Sequence, residues 1–134
     1  METKVGFYTS EGIHNLTSKE AFAMCEEGAV LLDIREDYMN LYKRFGVKNE
    51  IQIPKSHLEQ ELSKLPKDKT IIVADASGIF SKEVCLLLIK NGFEKVENLA
   101  AGIVEWEQDG MPLVFDNKEK LSGSCMCQLK PRNA

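Results

Sequence analysis

Residues 70–92 read Thr-Ile-Ile-Val-Ala-Asp-Ala-Ser-Gly-Ile-Phe-Ser-Lys-Glu-Val-Cys-Leu-Leu-Leu-Ile-Lys-Asn-Gly. The run 71–74 is short, apolar and rich in β-branched residues, which is typical of a buried parallel strand. Asp75 ends the strand, a turn around 77–78 follows, and the pattern predicts a helix over 81–91. A strand, a tight turn and a helix start point several backbone N–H groups at one spot, so this loop is predicted to form an anion cradle with Asp75 at its floor.

The same alternation of strand and helix extends outward on both sides of this segment. The predicted strands are 29–34, 50–53, 70–75 and 95–99, and the predicted helices are 17–28, 54–64, 81–91 and 102–109. This order predicts a parallel sheet with helices on both faces, in which ligands bind beyond the carboxyl ends of the strands. Asp33, Arg35 and Asp75 all lie at the carboxyl ends of predicted strands.

Two stretches are ambiguous in the sequence. Residues 36–45 are predicted to be helical or irregular, because Tyr38, Tyr42 and Phe45 are spaced as one face of an amphipathic helix. The segment leaves a carboxyl strand end, so a role in covering the pocket stays open. The N-terminal residues 1–12 form either a loose arm or an extra strand.

Several of these stretches together resemble the rhodanese-like family of sulfurtransferases and related phosphatases, over about residues 13–114. The matching stretches are 30–36 (Val-Leu-Leu-Asp-Ile-Arg-Glu), 51–54 (Ile-Gln-Ile-Pro), 74–81, 92–93, 96–103, Trp106 and 110–113 (Gly-Met-Pro-Leu). The resemblance implies a three-layer α/β fold with a central, mostly parallel sheet of about five strands and helices on both faces. It also implies a domain over 13–115, preceded by the arm 1–12. The polar composition of residues 116–134 predicts a flexible tail after the domain.

The chain departs from the family pattern at the loop. Asp75 stands where the resemblance places the catalytic cysteine, and Ala76, Ile79 and Phe80 replace positions that are often polar or arginine. The stretch 45–50 also replaces the usual turn before the third strand. A carboxylate cannot carry the persulfide that sulfur transfer requires, so thiosulfate sulfurtransferase activity is not expected at this loop.

The candidate site is therefore a pocket whose charged groups admit two interpretations. Asp75 is predicted to accept the loop N–H bonds itself and to repel thiosulfate or phosphate, either as a purely structural group or as part of a binding site. Asp33 and Arg35 form either a structural ion pair or a substrate-orienting pair. The candidate pocket residues are Asp75, Ala76, Ser77, Gly78, Ile79, Phe80, Ser81, Arg35 and Asp33.

The cysteines fall into two groups. Cys25 and Cys85 lie in apolar helical patterns and are interpreted as buried hydrophobes. Cys125 and Cys127 lie in a locally basic tail, and four alternatives stay open for them: a disulfide, persulfide sulfur, a soft metal such as Zn(II) or Cu(I), or no role. Two sulfurs do not complete a tetrahedral zinc site, so no metal is assigned. His14 and His57 lack ligand-spaced partners and are interpreted as incidental.

Bulk composition limits the remaining function classes. The chain has 134 residues, 43% hydrophobic and 28% charged, with a formal net charge of −4. This balance argues against nucleic-acid binding, and the absence of a long apolar run or leader-like segment argues against a membrane protein or a secreted one. The expectations are therefore a cytoplasmic protein with reduced thiols, no cofactor, and a monomeric or weakly dimeric state.

Two functions follow from these observations. The first is a catalytically degenerate rhodanese-like module that binds or regulates an unknown protein or small sulfur compound. The alternative is an enzyme, a sulfur-relay or thiol-redox sulfurtransferase that uses Cys125 and Cys127. A phosphatase is the weakest interpretation, because it too requires a cysteine and an arginine in the loop.

Overall fold

A computed structural model describes residues 7–8, 12–36 and 43–115, which form a main sheet of six strands and a two-stranded ribbon. The strands are β1 (Phe7–Tyr8), β2 (His14–Leu16), β3 (Val30–Asp33), β4 (Lys43–Phe45), β5 (Glu50–Gln52), β6 (Ile71–Ala74), β7 (Val96–Leu99) and β8 (Leu113–Phe115). The helices are α1 (Ser18–Glu26), α2 (Ser81–Lys90) and α3 (Gly102–Gln108), with a 3₁₀ helix at Lys55–Lys64. The main sheet has the order β1-β2-β7-β6-β3-β5, and only β1 runs antiparallel to its neighbour.

The central strands β3 and β6 are buried on both faces, which explains their continuous apolar sequences. Successive side chains alternate between the two faces. Leu31 and Ile72 point into a core beneath α1 and α3, whereas Leu32 and Val73 point into a second core beneath α2 and the 3₁₀ helix. The three-layer α/β arrangement predicted from the sequence is confirmed.

The helices begin where their sequences indicate. Thr17 caps α1: its Oγ1 accepts a hydrogen bond from Glu20 N (3.2 Å), and its own N–H donates to Glu20 Oε1 (2.9 Å). This reciprocal pair is the capping box predicted for this segment. The helix predicted over 81–91 is α2, and the helix predicted over 102–109 is α3.

The prediction that residues 36–45 are helical or irregular is wrong over 43–45. Lys43–Phe45 is strand β4, which pairs antiparallel with β8 in the register Lys43–Phe115 and Phe45–Leu113. Phe45 is buried in edge-to-face contact with Trp106, with ring centroids 5.2 Å apart. Strand pairing between distant segments therefore overrides the local helical spacing. Tyr38 and Tyr42 lie outside the described residues.

Three further differences concern short elements. The segment 54–64 is helical as predicted but adopts 3₁₀ geometry over Lys55–Lys64. The predictions left open whether residues 1–12 add a strand, and β1 is such a strand. The predictions for the tail 116–134, including Cys125 and Cys127, lie outside the described residues. Among the residues that are described, no helix has the length and apolar character needed to span a bilayer.

Candidate functional site

A pocket of about 430 Å³ lies at the carboxyl ends of β3 and β6. These strands are neighbours, with Asp33 opposite Ala74, so the segments that follow them leave the same edge of the sheet. The 3₁₀ helix after β5 supplies a further wall. The pocket is lined by Ile34, Arg35, Glu36, Lys55, Ser56, Asp75, Ala76, Ser77, Ile79 and Phe80.

Asp75 lies at the inner end of the β6–α2 loop and is only 3% exposed. Its Oδ1 accepts a hydrogen bond from Gly78 N, and its Oδ2 accepts one from Phe80 N at 2.7 Å. The prediction that this carboxylate accepts the N–H groups of its own loop is confirmed. The N–H groups of Gly78 and Phe80 are thus already bonded to a carboxylate of the chain itself.

The start of α3 holds this loop in place. Ile103 N donates to the Asp75 carbonyl oxygen at 3.0 Å, and Val104 N donates to the Ala76 carbonyl oxygen at 3.1 Å. Gly102 packs so closely that an added Cβ would overlap the backbone of Asp75 and Ala76. The loop is therefore fastened by backbone contacts, and its shape depends on α3 as well as on its own sequence.

Arg35 and Asp33 form a buried ion pair beside the loop. Arg35 Nη2 lies 2.8 Å from Asp33 Oδ2, and Arg35 Nε lies 3.0 Å from Asp33 Oδ1. Arg35 Nη2 also donates to the Lys43 carbonyl oxygen at 2.8 Å, and the guanidinium lies 5.5 Å from the centre of the Phe45 ring. The ion-pair interpretation is confirmed, and a substrate-orienting role for Arg35 stays a prediction.

The rim of the pocket is partly apolar and partly charged. Ile79 is 72% exposed and Phe80 is 48% exposed, and these consecutive side chains form the apolar part of the rim. Lys55 Nζ lies 5.4 Å from the centre of the Phe80 ring and 3.4 Å from Glu83 Oε2. Glu36 accepts hydrogen bonds from Ser56, at 2.8 Å from Oγ and 3.1 Å from the backbone N.

The structure brings together most of the predicted site residues, but not all of them. Gly78 contributes its N–H group to Asp75, whereas Asp33 and Ser81 are buried and do not line the pocket. The sequence predictions missed four lining residues: Ile34, Glu36, Lys55 and Ser56. A signal for them existed, because 34–36 and 55–56 follow the carboxyl ends of β3 and β5.

The thiols within the described ranges are chemically protected. Cys25 and Cys85 are fully buried, as the sequence predicts. Burial, with a smaller effect of Glu26, raises the pKa of Cys25 to about 11. Burial, with a smaller effect of Glu97, raises the pKa of Cys85 to about 12. Neither side chain is a thiolate at neutral pH, so neither is suited to nucleophilic chemistry.

The histidines do not indicate a metal site. His14 Nδ1 lies 2.5 Å from Glu97 Oε1, across the register of β2 and β7. His57 Nδ1 lies 3.4 Å from Ser56 Oγ at the start of the 3₁₀ helix. In the ranges 12–36 and 43–115, three or more His, Cys, Asp or Glu side chains are nowhere grouped closely enough to hold a metal ion.

Comparison with known families agrees with this architecture. Residues 17–109 match the family model described as the rhodanese-like domain, so the chain belongs to this family. The chain is 29% identical over 103 residues to the thiosulfate sulfurtransferase GlpE of Haemophilus influenzae, covering 73% of the chain and 91% of the relative. It is 31% identical over 68 residues to a sulfurtransferase of Allochromatium vinosum; the match spans 51% of the chain but only 64% of that relative.

Solved structures show the same fold. A rhodanese-related protein of Thermoplasma volcanium superposes with a TM-score of 0.68 at 25% identity, over 75% of this chain and 96% of the other. The polysulfide-sulfur transferase homodimer of Wolinella succinogenes gives a TM-score of 0.66 at 25% identity, over 75% and 77% of the two chains.

Proposed function

We propose that this chain is a catalytically degenerate rhodanese-like module with a binding or regulatory role. In this proposal Asp75 occupies the position at which sulfurtransferases of the family carry their nucleophilic cysteine. The observation that carries the proposal is the pair of hydrogen bonds from Gly78 and Phe80 to the Asp75 carboxylate. The groups that would stabilise an anionic nucleophile or substrate are already engaged by this side chain.

The chemistry of sulfur transfer supports this interpretation. A thiolate attacks the outer sulfur of thiosulfate, the S–S bond breaks, sulfite leaves, and a persulfide remains on the protein. A carboxylate cannot form the stable S–S bond of this intermediate. The two serines of the loop are poor substitutes, since Ser81 Oγ is buried without a hydrogen-bond partner in the described part of the chain and Ser77 is exposed to solvent.

The charge of the site also opposes anionic substrates. The described cations of the pocket, Arg35 and Lys55, each lie beside a carboxylate, of Asp33 and Glu83 respectively. In contrast, the described donors to Glu36 and Asp75 are the neutral Ser56, Gly78 and Phe80. The charges of the lining residues balance, and the carboxylates of Asp33 and Glu83 beside them add negative charge. This excess disfavours thiosulfate and phosphate.

The test is a thiosulfate:cyanide sulfurtransferase assay on the full chain and on the Cys125→Ser/Cys127→Ser variant. Both proteins are expected to produce thiocyanate only at the rate of the blank. The Asp75→Cys variant should gain a thiol that iodoacetamide alkylates faster than free cysteine, because the loop N–H groups favour the thiolate.

The proposal would be refuted by thiocyanate production in the Cys125→Ser/Cys127→Ser variant at a rate comparable to that of an active family member. An Asp75→Cys thiol that alkylates no faster than free cysteine would contradict the cradle. The Asp75→Cys substitution is made in the Cys125→Ser/Cys127→Ser background, so that position 75 carries the one reactive thiol. The remaining cysteines do not interfere, because Cys25 and Cys85 are buried and their thiols are protonated.

A second candidate is a sulfur-relay or thiol-redox enzyme that uses Cys125 and Cys127. The observation that favours these two residues is the high pKa of Cys25 and Cys85, which leaves the tail thiols as the reactive pair. The sulfur donors to test are thiosulfate and polysulfide, because similar proteins are a thiosulfate sulfurtransferase and a polysulfide-sulfur transferase. Intact mass spectrometry after incubation with either donor should show added sulfur that is absent from the Cys125→Ser/Cys127→Ser variant. Either function is proposed for a cytoplasmic protein, because thiols stay reduced in the cytoplasm.

A further inference from the structure

The pocket beside Asp75 combines an apolar rim with carboxylates. Its rim presents Ile79 and Phe80 to solvent, and the carboxylates of Glu36 and Asp75 have neutral donors in the described part of the chain. A ligand that matches this surface combines an apolar side chain with a positive charge. The pocket volume of about 430 Å³ is sufficient for one or two side chains.

The C-terminal segment leaves the described domain beside this pocket. Phe115, the last residue of β8, lies opposite Lys43 in the β4–β8 ribbon. The Lys43 carbonyl accepts a hydrogen bond from Arg35, whose side chain lines the pocket. Phe115, to which the segment 116–134 is joined, therefore lies about one strand spacing, roughly 5 Å, from Lys43, which contacts the pocket residue Arg35.

The composition of the segment 116–134 complements the pocket. It carries four basic side chains against two acidic ones, and its apolar residues include Met126. Met126 is followed by Lys130, so an apolar side chain and a cation lie close together in the sequence. Ten residues separate Phe115 from Met126, and such a linker spans up to about 35 Å when extended. A tether of this length keeps the segment near the pocket at an effective concentration in the millimolar range.

We propose that the pocket at Asp75 binds the chain's own C-terminal segment, with Met126 against Ile79 and Phe80 and Lys130 facing the carboxylates of Glu36 and Asp75. This inference rests on the binding role proposed above and names its ligand. Binding in this way covers the exposed apolar rim, neutralises part of the negative charge, and places Cys125 and Cys127 on either side of the inserted Met126. The segment then competes with any external partner for the same pocket.

The test is disulfide trapping in the full-length chain. Ser77→Cys introduces a thiol at an exposed position of the pocket lining, and Cys127→Ser leaves Cys125 as the tail thiol. With glutathione disulfide as the oxidant, we expect an intramolecular disulfide between positions 77 and 125, located by peptide mapping. Adding Met126→Ser and Lys130→Ser should slow its formation about tenfold or more, because burying a methionine side chain contributes at least that factor.

Matched variants distinguish binding of the segment in the pocket from random collisions between Cys125 and the introduced thiol. Ile79→Ser should slow the trapping, whereas Ile89→Ser, which removes the same side chain from a 45% exposed position near the end of α2, should not. Asp68→Cys, at an exposed position before β6, should form a disulfide with Cys125 at a rate that does not depend on Met126 or Lys130.

Three results would overturn the inference: no 77–125 disulfide, a trapping rate unchanged by Met126→Ser/Lys130→Ser, or a disulfide between two chains. The last is detected by mixing isotope-labelled and unlabelled protein, and it would assign the pocket to a second copy. None of these results depends on sulfur transfer, so the proposed lack of sulfurtransferase activity is tested separately by the thiocyanate assay.

Discussion

Asp75 and Glu50 are both acidic residues with little solvent contact, but their surroundings differ. Asp75 accepts two backbone N–H bonds, whereas Glu50 Oε2 is buried without a hydrogen-bond partner among the described residues. The nearest cation to Glu50 is Arg44, whose Nε lies 3.7 Å from Oε1, beyond hydrogen-bond distance. Burial, and to a lesser extent the charge of Asp33, raises the pKa of Glu50 above its ordinary value.

The raised pKa of Glu50 predicts a pH-dependent effect of Glu50→Gln. Below about pH 4.5 the carboxyl is protonated in both the folded and the unfolded chain, so it carries no ionisation penalty. As the pH rises, the unfolded chain ionises first, and the stability contributed by the protonated form is lost as the pH passes through the folded pKa. Glu50→Gln should therefore raise the free energy of unfolding at pH 7, and this gain should shrink towards pH 4.

The measurement is urea unfolding of the wild type and the variant at several pH values. Glu59→Gln is the matched control, because it removes the same charge from an exposed position of the 3₁₀ helix. If Glu50→Gln were less stable than the wild type at pH 7, attraction by the neighbouring arginines would outweigh the cost of burial, and the interpretation of Glu50 would be wrong.

At the scale of secondary structure, the decisive junction is between the β6–α2 loop and the first turn of α3. Gly102 has a φ of +63°, and a Cβ at this position would overlap the backbone of Asp75 and Ala76. A glycine is required here for two separate reasons, the left-handed backbone and the close approach of the loop. The geometry of the candidate site therefore depends on a residue that does not line it.

Replacing Gly102 with alanine should destabilise the protein and displace the loop. The left-handed conformation alone costs about 1–2 kcal/mol for alanine, and the overlap adds roughly 1–3 kcal/mol more. Gly110→Ala isolates the first contribution, since Gly110 has a φ of +75° and open space around its Cβ position. Both variants are compared by urea unfolding, and amide exchange of Gly78 and Phe80 reports the state of the loop.

Equal losses of stability in the two glycine variants would contradict the close packing between α3 and the loop. Faster amide exchange at Gly78 and Phe80 is expected in Gly102→Ala only. Unchanged exchange there would show that the loop is held by Asp75 without the help of α3.

Local sequence patterns predict some elements of this fold well and others poorly. β3, β6 and the three α-helices follow from apolar runs, the Thr17 capping box and the glycine at 92, all of which act within a few residues. The strands β2, β4 and β8 have three residues each and exist because distant segments pair with them. At the site, Asp75 and Arg35 could be predicted from strand ends, whereas Lys55 contacts Phe80 only because of how the 3₁₀ helix packs.

At the scale of the whole molecule, the cysteines divide between a closed core and the C-terminal segment. One buried thiol lies in each of the two cores, Cys85 on the inner face of α2 and Cys25 on the inner face of α1. The sequence contains four cysteines, and the other two are Cys125 and Cys127. Reactivity of the native protein towards thiol reagents should therefore report almost entirely on these two.

We expect maleimide labelling of the native chain to modify two cysteines rapidly, and all four in denaturant. At pH 8, a pKa of about 11 leaves only about one thousandth of Cys25 as thiolate, and burial reduces its access further. Peptide mapping by mass spectrometry identifies the modified residues. The Cys125→Ser/Cys127→Ser variant is the control and should remain unlabelled while folded. Rapid native labelling of Cys25 or Cys85 would show that a core opens.

The β4–β8 ribbon has a consequence for the order in which the protein matures during synthesis. β4 receives its only described strand partner from residues 113–115, and β4 also carries the carbonyl that holds Arg35 at the pocket wall. A ribosome adds about 5–20 residues per second, so several seconds separate the emergence of these two strands. The strands β5, β6 and β7 emerge during that interval, so the main sheet can be complete before the wall around Arg35 gains its outer strand. The pocket is therefore among the last parts of the domain to reach its final shape in the cell.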